Sequence, residues 1–428
     1  MKIVRYDQYK DNELNCFEKI PKDWNNYRID WISKLIRGNS SFKKDELLDK
    51  GDYIGLQYGK TYQVNIIDET FKFYVNGEFY KSNQVVKNGD TILISTSETL
   101  EDLGHTCFYK INDLGLIGGE QILIKPNTKY IINKYLFYCS KVFSNKLRRY
   151  ATGLKVFRVN TNHLKNLFIS LPNKETQIKI VNYLDIKIEK TDKEILILEQ
   201  KIEKYIELKK TLISETVLRG LNKNFVLKES ETEWIGYIPE HWEIKRIDNA
   251  FQERRVKVSD SQYPPLSVTK NGVVPQLENV AKTMHNDNRM LVRSGDYVIN
   301  SRSDRRGSSG LALQDGSVSV INIILEPKKD FFGKYLHHLF RSYFFIEEFY
   351  RNGKGIVDDL MSTKYSLMRT IDFPIPPYEE QVEIANYLDE KTVKIDSIVK
   401  SIGKKIEVLK EFRKTLINDV VTGKVKVA

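Results

Sequence analysis

A chain of 428 residues with 41% hydrophobic side chains can build two or three domains with real cores, and 24 tyrosines and 20 phenylalanines argue against an all-helical protein. A net charge of +11 suits a polyanionic partner, of which nucleic acid is the usual one. Cys16, Cys107 and Cys139 stand far apart with no CxxC spacing, and the adjacent His337 and His338 would point apart on a helix, so zinc knuckles, disulfide frameworks and metal sites are not expected.

The first motif along the chain is Ile20-Pro21-Lys22-Asp23-Trp24, followed by Arg28-Ile29-Asp30. Short apolar runs with turn punctuation come next: Phe71–Val75 before Asn76-Gly77, and Gly89-Asp90 before Thr91–Ser95. These read as strands and hairpins. An amphipathic helix is expected near Lys134–Arg149. After Leu171-Pro172, the pattern is helical from Lys174 to Val217.

The same sequence of features then starts again. Ile238-Pro239-Glu240-His241-Trp242 and Arg246-Ile247-Asp248 repeat the opening at an offset of 218. Leu266 and Lys270 match Leu56 and Lys60 at 210, and Gly295-Asp296 with Ser301 and Ser303 match Gly89-Asp90 with Ser95 and Ser97 at 206. Asn386-Tyr387-Leu388-Asp389 repeats Asn182-Tyr183-Leu184-Asp185 at 204. An offset that falls in order is the mark of one ancient unit duplicated and then trimmed by small deletions. A second amphipathic stretch, Phe332–Tyr350, fits the same scheme.

Within each long helix, positions alternately three and four apart form a heptad seam. The first seam runs through Val181, Leu184, Ile188, Thr191, Ile195, Leu198, Ile202, Tyr205, Lys209 and Leu212, and the second through Ala385, Leu388, Thr392, Ile395, Val399, Ile402, Ile406, Leu409, Arg413 and Leu416. A basic residue interrupts both at the same register, Lys209 and Arg413. Each stripe needs a partner, and the other copy is the obvious one; the helices are expected to pair antiparallel, each about 65 Å long at 1.5 Å per residue. The expected architecture is α+β: two globular α+β domains, residues 1–170 and 223–373, separated by a pair of long antiparallel coiled-coil helices, residues 171–222 and 374–428, with an internal pseudo-twofold repeat.

Catalytic motifs fail one by one. Gly59-Lys60-Thr61 lacks the upstream glycine of a phosphate loop, because position 54 is Ile. Ile375-Pro376-Pro377-Tyr378 has Ile where an amino-group methyltransferase needs Asp or Asn to accept from the amine. Glu243-Ile244-Lys245 has nuclease-like spacing but no convincing upstream Asp. DNA-reading features are more promising. Ser301-Arg302-Ser303-Asp304-Arg305-Arg306-Gly307-Ser308 sets three arginines among hydroxyls after an expected strand, suited to phosphates and to guanine edges. Its counterpart, Ser95-Thr96-Ser97, lacks the arginines. Lys60 with Thr61 and Gln63, and Lys270 with Asn271, are further candidates.

Taken together, the Ile-Pro-x-x-Trp opening, the Gly-Asp-strand-Ser-x-Ser element, and the run from Pro376 to Asp389 resemble the specificity subunit of type I restriction–modification systems. Trp234–Trp242 is similar to that family's opening of its second target-recognition domain, and Val421-Thr422-Gly423-Lys424 to its C-terminal ending. The first copy departs in lacking a second proline after Pro172. The resemblance implies a non-catalytic subunit. Two target-recognition domains would each read half of a split, asymmetric site in double-stranded DNA, with the helix pair as spacer and as docking surface for two methyltransferase subunits. S-adenosylmethionine, ATP and Mg²⁺ would belong to partners, the methyltransferase subunits and an ATP-dependent restriction subunit, and no cofactor to this chain. No apolar leader and no membrane span are read, so a cytoplasmic location is expected. A DNA-acting nuclease with an unrecognised motif, or a coiled-coil adaptor without a DNA role, are the competing readings.

Overall fold

The computed structural model describes residues 5–12, 19–276, 288–328, 331–355 and 361–427; Cys16 lies outside them. The chain divides into two compact units. One runs up to Ile197 and resumes at Lys405; the other is Leu198–Lys404. The boundary therefore falls inside both long helices, Lys174–Arg219 and Tyr378–Val421, rather than at their ends. Each unit is a globular part together with a portion of each helix.

In the first unit, a five-stranded sheet has the order Ser33–Arg37, Gln121–Pro126, Thr91–Ile94, Thr106–Tyr109, Ile66–Ile67. A four-stranded sheet runs Tyr74–Val75, Tyr53–Leu56, Gly115–Ile117, Val85–Val86. The helix Asn133–Leu147 lies on the larger sheet and buries Tyr135, Leu136, Cys139 and Phe143. In the second unit, Phe251–Glu253, Asn322–Pro327, Tyr297–Asn300 and Ser309–Leu311 make the matching sheet. The expected single helix there is two, Gly333–Phe340 and Tyr343–Arg351, because Ser342 accepts a hydrogen bond from the Phe345 amide and caps a new start.

The repeat holds at the level of pairing. Ile94 lies opposite Gln121, and Asn300 opposite Asn322. Both central strands follow a glycine in the left-handed region, Gly89 at φ 95 and Gly295 at φ 93. The next residue closes the turn: Asp90 accepts from the Lys87 amide and from Lys125, and Asp296 from the Arg293 amide and from Arg254, all at 2.8–2.9 Å. The fold also explains the Trp motif. Trp24 and Trp242 are buried, and the strand after each pairs with the strand that leads into a long helix: Asn25–Arg28 with Phe168–Leu171, and Glu243–Arg246 with Asp372–Ile375. Gly423 (φ 76) and Gly220 (φ 72) end the two helices against these indoles, where a Cβ would stand 3.4 Å from Trp24 and 3.2 Å from Trp242.

Within each unit the two helix portions run antiparallel. In the first, Val181, Leu184 and Ile188 share a core with Leu416, Ile417, Val420 and Val421. In the second, Leu212, Val217 and Leu218 share one with Ala385 and Leu388. Of the expected seam, Leu184, Ile195, Leu198, Leu388, Ile395 and Ile406 are buried and Ile188, Ile202, Val399 and Ile402 half-buried. The missing second proline of the first copy changes little, since a glutamine does the work in both. Gln177 donates to the Pro172 carbonyl and accepts from the Ile132 amide; Gln381 donates to Pro376 and accepts from Phe332.

Candidate nucleic-acid interface

The arginine segment of the second unit begins where the strand Tyr297–Asn300 ends. Backbone contacts to the Met361–Ser362 segment hold it in place. Arg302 bridges Ser362 across an antiparallel contact, the Ser303 amide donates to the Met361 carbonyl at 2.9 Å, and Ser303–Arg305 form one tight helical turn. Ser308 closes the segment by donating to Arg305 and accepting from the Asn300 amide. The arginines are also partnered. Arg302 sends Nε and a terminal nitrogen to the two oxygens of Asp304 at 3.0 and 3.2 Å. Arg306 lies 3.4 Å from Glu347 and over the Tyr350 ring. Arg305 is the freest, 67% exposed and 3.7 Å from Asp304.

Several expected contacts point inward. Ser301 and Ser308 are buried, with the Ser301 hydroxyl against that of Ser362. Ser95 and Thr96 are buried in the first unit, where Thr96 pairs with Arg158 across a two-stranded ribbon; Ser97 is half-buried and accepts from the Thr99 amide. Thr61 is fully buried, its hydroxyl accepting from Gln121 Nε2 at 2.7 Å. Apart from half-buried Ser97, these hydroxyls lie inside the fold. Two further arginines are engaged within the fold: buried Arg289 is clamped to Ser317, and half-buried Arg254 to Asp296 and Glu326.

Lys60 and Lys270 share a place in the repeat but not a local structure. Gly55 and Pro265 align, since each lies parallel to the equivalent strand, opposite Leu116 and Ser317. Beyond them the first unit turns into a short helix, Tyr58–Thr61, with the Lys60 ammonium over Phe73 at 4.5 Å. The second makes a hairpin, Leu266–Thr269 with Gly272–Pro275, whose turn exposes Lys270 and Asn271. That turn abuts the strand leaving the arginine segment, where Gly310 and Gly272 come so close that a Cβ on Gly310 would stand 2.7 Å from Gly272. Arg341 donates to the Lys270 carbonyl and also approaches His337 Nε2 at 2.9 Å. Burial, with Arg341 beside it, holds the His337 imidazole down to about 4, and so neutral. Gln63 is exposed.

Sequence reasoning missed Glu120, Arg158 and Ser362. They lie far along the chain from the segments they flank, and only the strand pairings bring them in. Among the described residues, no cluster of His, Cys, Asp and Glu could hold a metal ion, and no helix is long and apolar enough to cross a membrane.

Residues 21–208 match the family described as the type I restriction modification DNA specificity domain. The chain is 26% identical to the putative type I restriction enzyme MjaX specificity subunit of Methanocaldococcus jannaschii, over 100% of this chain and 99% of that one. It is 23% identical to the MjaVIII specificity subunit of the same organism, over 96% and 94%. Its fold is similar to a chain solved in work on complex assembly and conformational transition of the type I R-M system, with a TM-score of 0.68, 16% identity and coverage of 95% and 99%. It is also similar to the HsdS subunit from Thermoanaerobacter tengcongensis, with a TM-score of 0.52, 16% identity and coverage of 95% and 98%.

Proposed function

We propose that this chain, a member of the type I restriction–modification specificity family through residues 21–208, is the DNA-reading and non-catalytic subunit of such a complex, with each unit recognising one half of a split, asymmetric site. The observation that carries this is one scaffold bearing different side chains at one place. The strands Thr91–Ile94 and Tyr297–Asn300 match in pairing and in the turn before them, yet one leads to Thr96-Ser97-Glu98 and the other to Arg302-Ser303-Asp304. A duplicated catalytic unit would need the same reactive groups twice; a duplicated reader needs the frame kept and the contacts changed.

Phosphate contacts from the exposed arginines and lysines would set position on the duplex, and base contacts the sequence. The long helices, which run through both units, would set the unread gap and offer their outer faces to methyltransferase subunits, with restriction subunits joining for cleavage. S-adenosylmethionine, ATP and Mg²⁺ would be held by those partners.

Methylome sequencing of a host carrying this chain and its methyltransferase partner tests the reading. N6-methyladenine at a split motif, present only when both proteins are made, is expected. Methylation that persists at the same motif without this chain would overturn it. A nuclease reading predicts instead that the pure chain cuts DNA with Mg²⁺ alone.

A further inference from the structure

The turn that joins Gly115–Ile117 to Gln121–Pro126 is Gly118-Gly119-Glu120. Glu120 has φ 59, in the left-handed region that side chains disfavour and glycine adopts freely. A third glycine would suit this backbone better, yet a carboxylate stands there. Strain of this kind persists where the side chain has a use.

The position is common to both repeats. The Ser95 amide donates to the Glu120 carbonyl at 2.9 Å, and the Ser301 amide to the Ile321 carbonyl at 3.3 Å. Glu120 thus sits beside Thr96-Ser97 as Ile321 sits beside the arginine segment. Its carboxylate accepts from the Thr96 hydroxyl at 3.2 Å, stands 3.9 Å from Arg158, and stays 44% exposed. It also lies on the rim of a 290 Å³ pocket lined by the exposed Lys43, Lys44 and Tyr58. An acceptor-only group thus stands 3.9 Å from Arg158 and shares a pocket with two lysines, at the place where the second unit carries an exposed isoleucine.

Phosphates repel a carboxylate, so one that meets the duplex directly is favourable where it accepts from a base. In the major groove the donors are the exocyclic amino groups, cytosine N4 and adenine N6. We propose that Glu120 is a specificity-determining residue of the half-site read by the first unit, accepting a hydrogen bond from one of those amino groups while Lys43, Lys44 and Arg158 meet the backbone. Ile321 has no acceptor, so the second half-site is not read in this way.

This rests on the DNA-reading function, and the test separates the two. The complex with its methyltransferase partner is titrated with duplexes in which each position of the first half-site carries each base in turn. Glu120→Gly removes the carboxylate and relieves the backbone, so a folding defect is not expected. Its preference at one position, C or A in the parent, should fall by about ten- to a hundredfold, with other positions within about twofold. Glu120→Gln keeps an acceptor and adds a donor: a shift from C to A identifies cytosine as the partner, and a retained A identifies adenine. If Glu120→Gly keeps the parent's profile at every position, or loses affinity evenly, the proposal is overturned. A parent complex with no split-site preference overturns the functional reading, and this one with it.

Discussion

Lys209 holds its ammonium 2.7 Å from both carboxylate oxygens of Asp396, and at the same register of the repeat Arg413 pairs with Asp192. The basic residue that interrupts each apolar seam is therefore answered by an aspartate from the facing helix. Both pairs reach solvent, with Lys209 31% and Asp396 62% exposed, so each contributes only about 0.2–1 kcal/mol. Their larger effect is on register, because a slip of one turn would leave a cation in the seam without its partner. Lys209→Glu should destabilise the helix pair of the second unit by about 1 kcal/mol, and adding Asp396→Lys should recover most of it. Hydrogen exchange along the two helices measures both. A double variant as labile as the single one would remove the pairing argument.

Tyr335 is fully buried and donates at 3.1 Å to Val217, in the last turn of a long helix, with Pro374 3.2 Å away. Its counterpart, Tyr135, reaches Val421 at 3.4 Å. Tyr335→Phe leaves buried carbonyls without their donor and should cost about 1–3 kcal/mol. Tyr135→Phe breaks a longer bond and should cost less. Urea unfolding of the two variants reports the difference; equal costs would mean that the longer contact is as strong as the shorter.

Acid should destabilise both units. Burial, with Lys141 nearby, pushes His105 down to about 4, and His337 is held at about 4 by burial and Arg341. Each folded-state value lies below the unfolded one near 6.5, so the unfolded chain binds more protons between about 4 and 6.5. Stability is thus complete above that window and lost as pH falls through it, by up to about 3 kcal/mol for each group. His105→Gln, which cannot take up a proton, should flatten the acid limb of the first unit's melting profile. An unchanged limb would place the acid sensitivity elsewhere.

The repeat and the long helices were legible because they are written in local spacing. The Trp motif, the Gly-Asp turn and the seam each fit within a few tens of residues. Where local chemistry diverged, spacing alone did not show the local structure. Lys60 and Lys270 align by number but sit on a helix and on a hairpin turn. The seryl and threonyl hydroxyls read as DNA contacts turned inward wherever a distant strand supplied a partner, as Ser362 does for Ser301 and Gln121 for Thr61. The run carries only part of its own pairing: Asp304, which grips Arg302, stands within it, but Glu347, which meets Arg306, lies far along the chain.

The arginine segment gives the sharpest test of the proposed DNA surface. Arg302 is held in a two-pronged grip by Asp304, while Arg305 has one weaker contact and the greatest exposure of the three. If the segment meets DNA, Arg305 is the side chain that can engage at the smallest loss, giving up only its 3.7 Å contact with Asp304. Arg305→Ala should weaken binding by about 1–3 kcal/mol and relax one position of the second half-site if it meets a base, or lower the salt slope by about one if it meets a phosphate. Arg306→Ala should weaken binding less, because Glu347 already offsets that charge. Asp304→Asn should act in the opposite sense for phosphate binding: it removes a negative charge and loosens Arg302, so affinity for any duplex rises while preference for the cognate half-site falls. Salt-dependent titrations of cognate and scrambled duplexes measure all three. If all three variants keep the parent's affinity, salt slope and preference, the segment is plain surface, and the exposed hairpin turn at Lys270 and Asn271 becomes the next candidate for the proposed half-site reading.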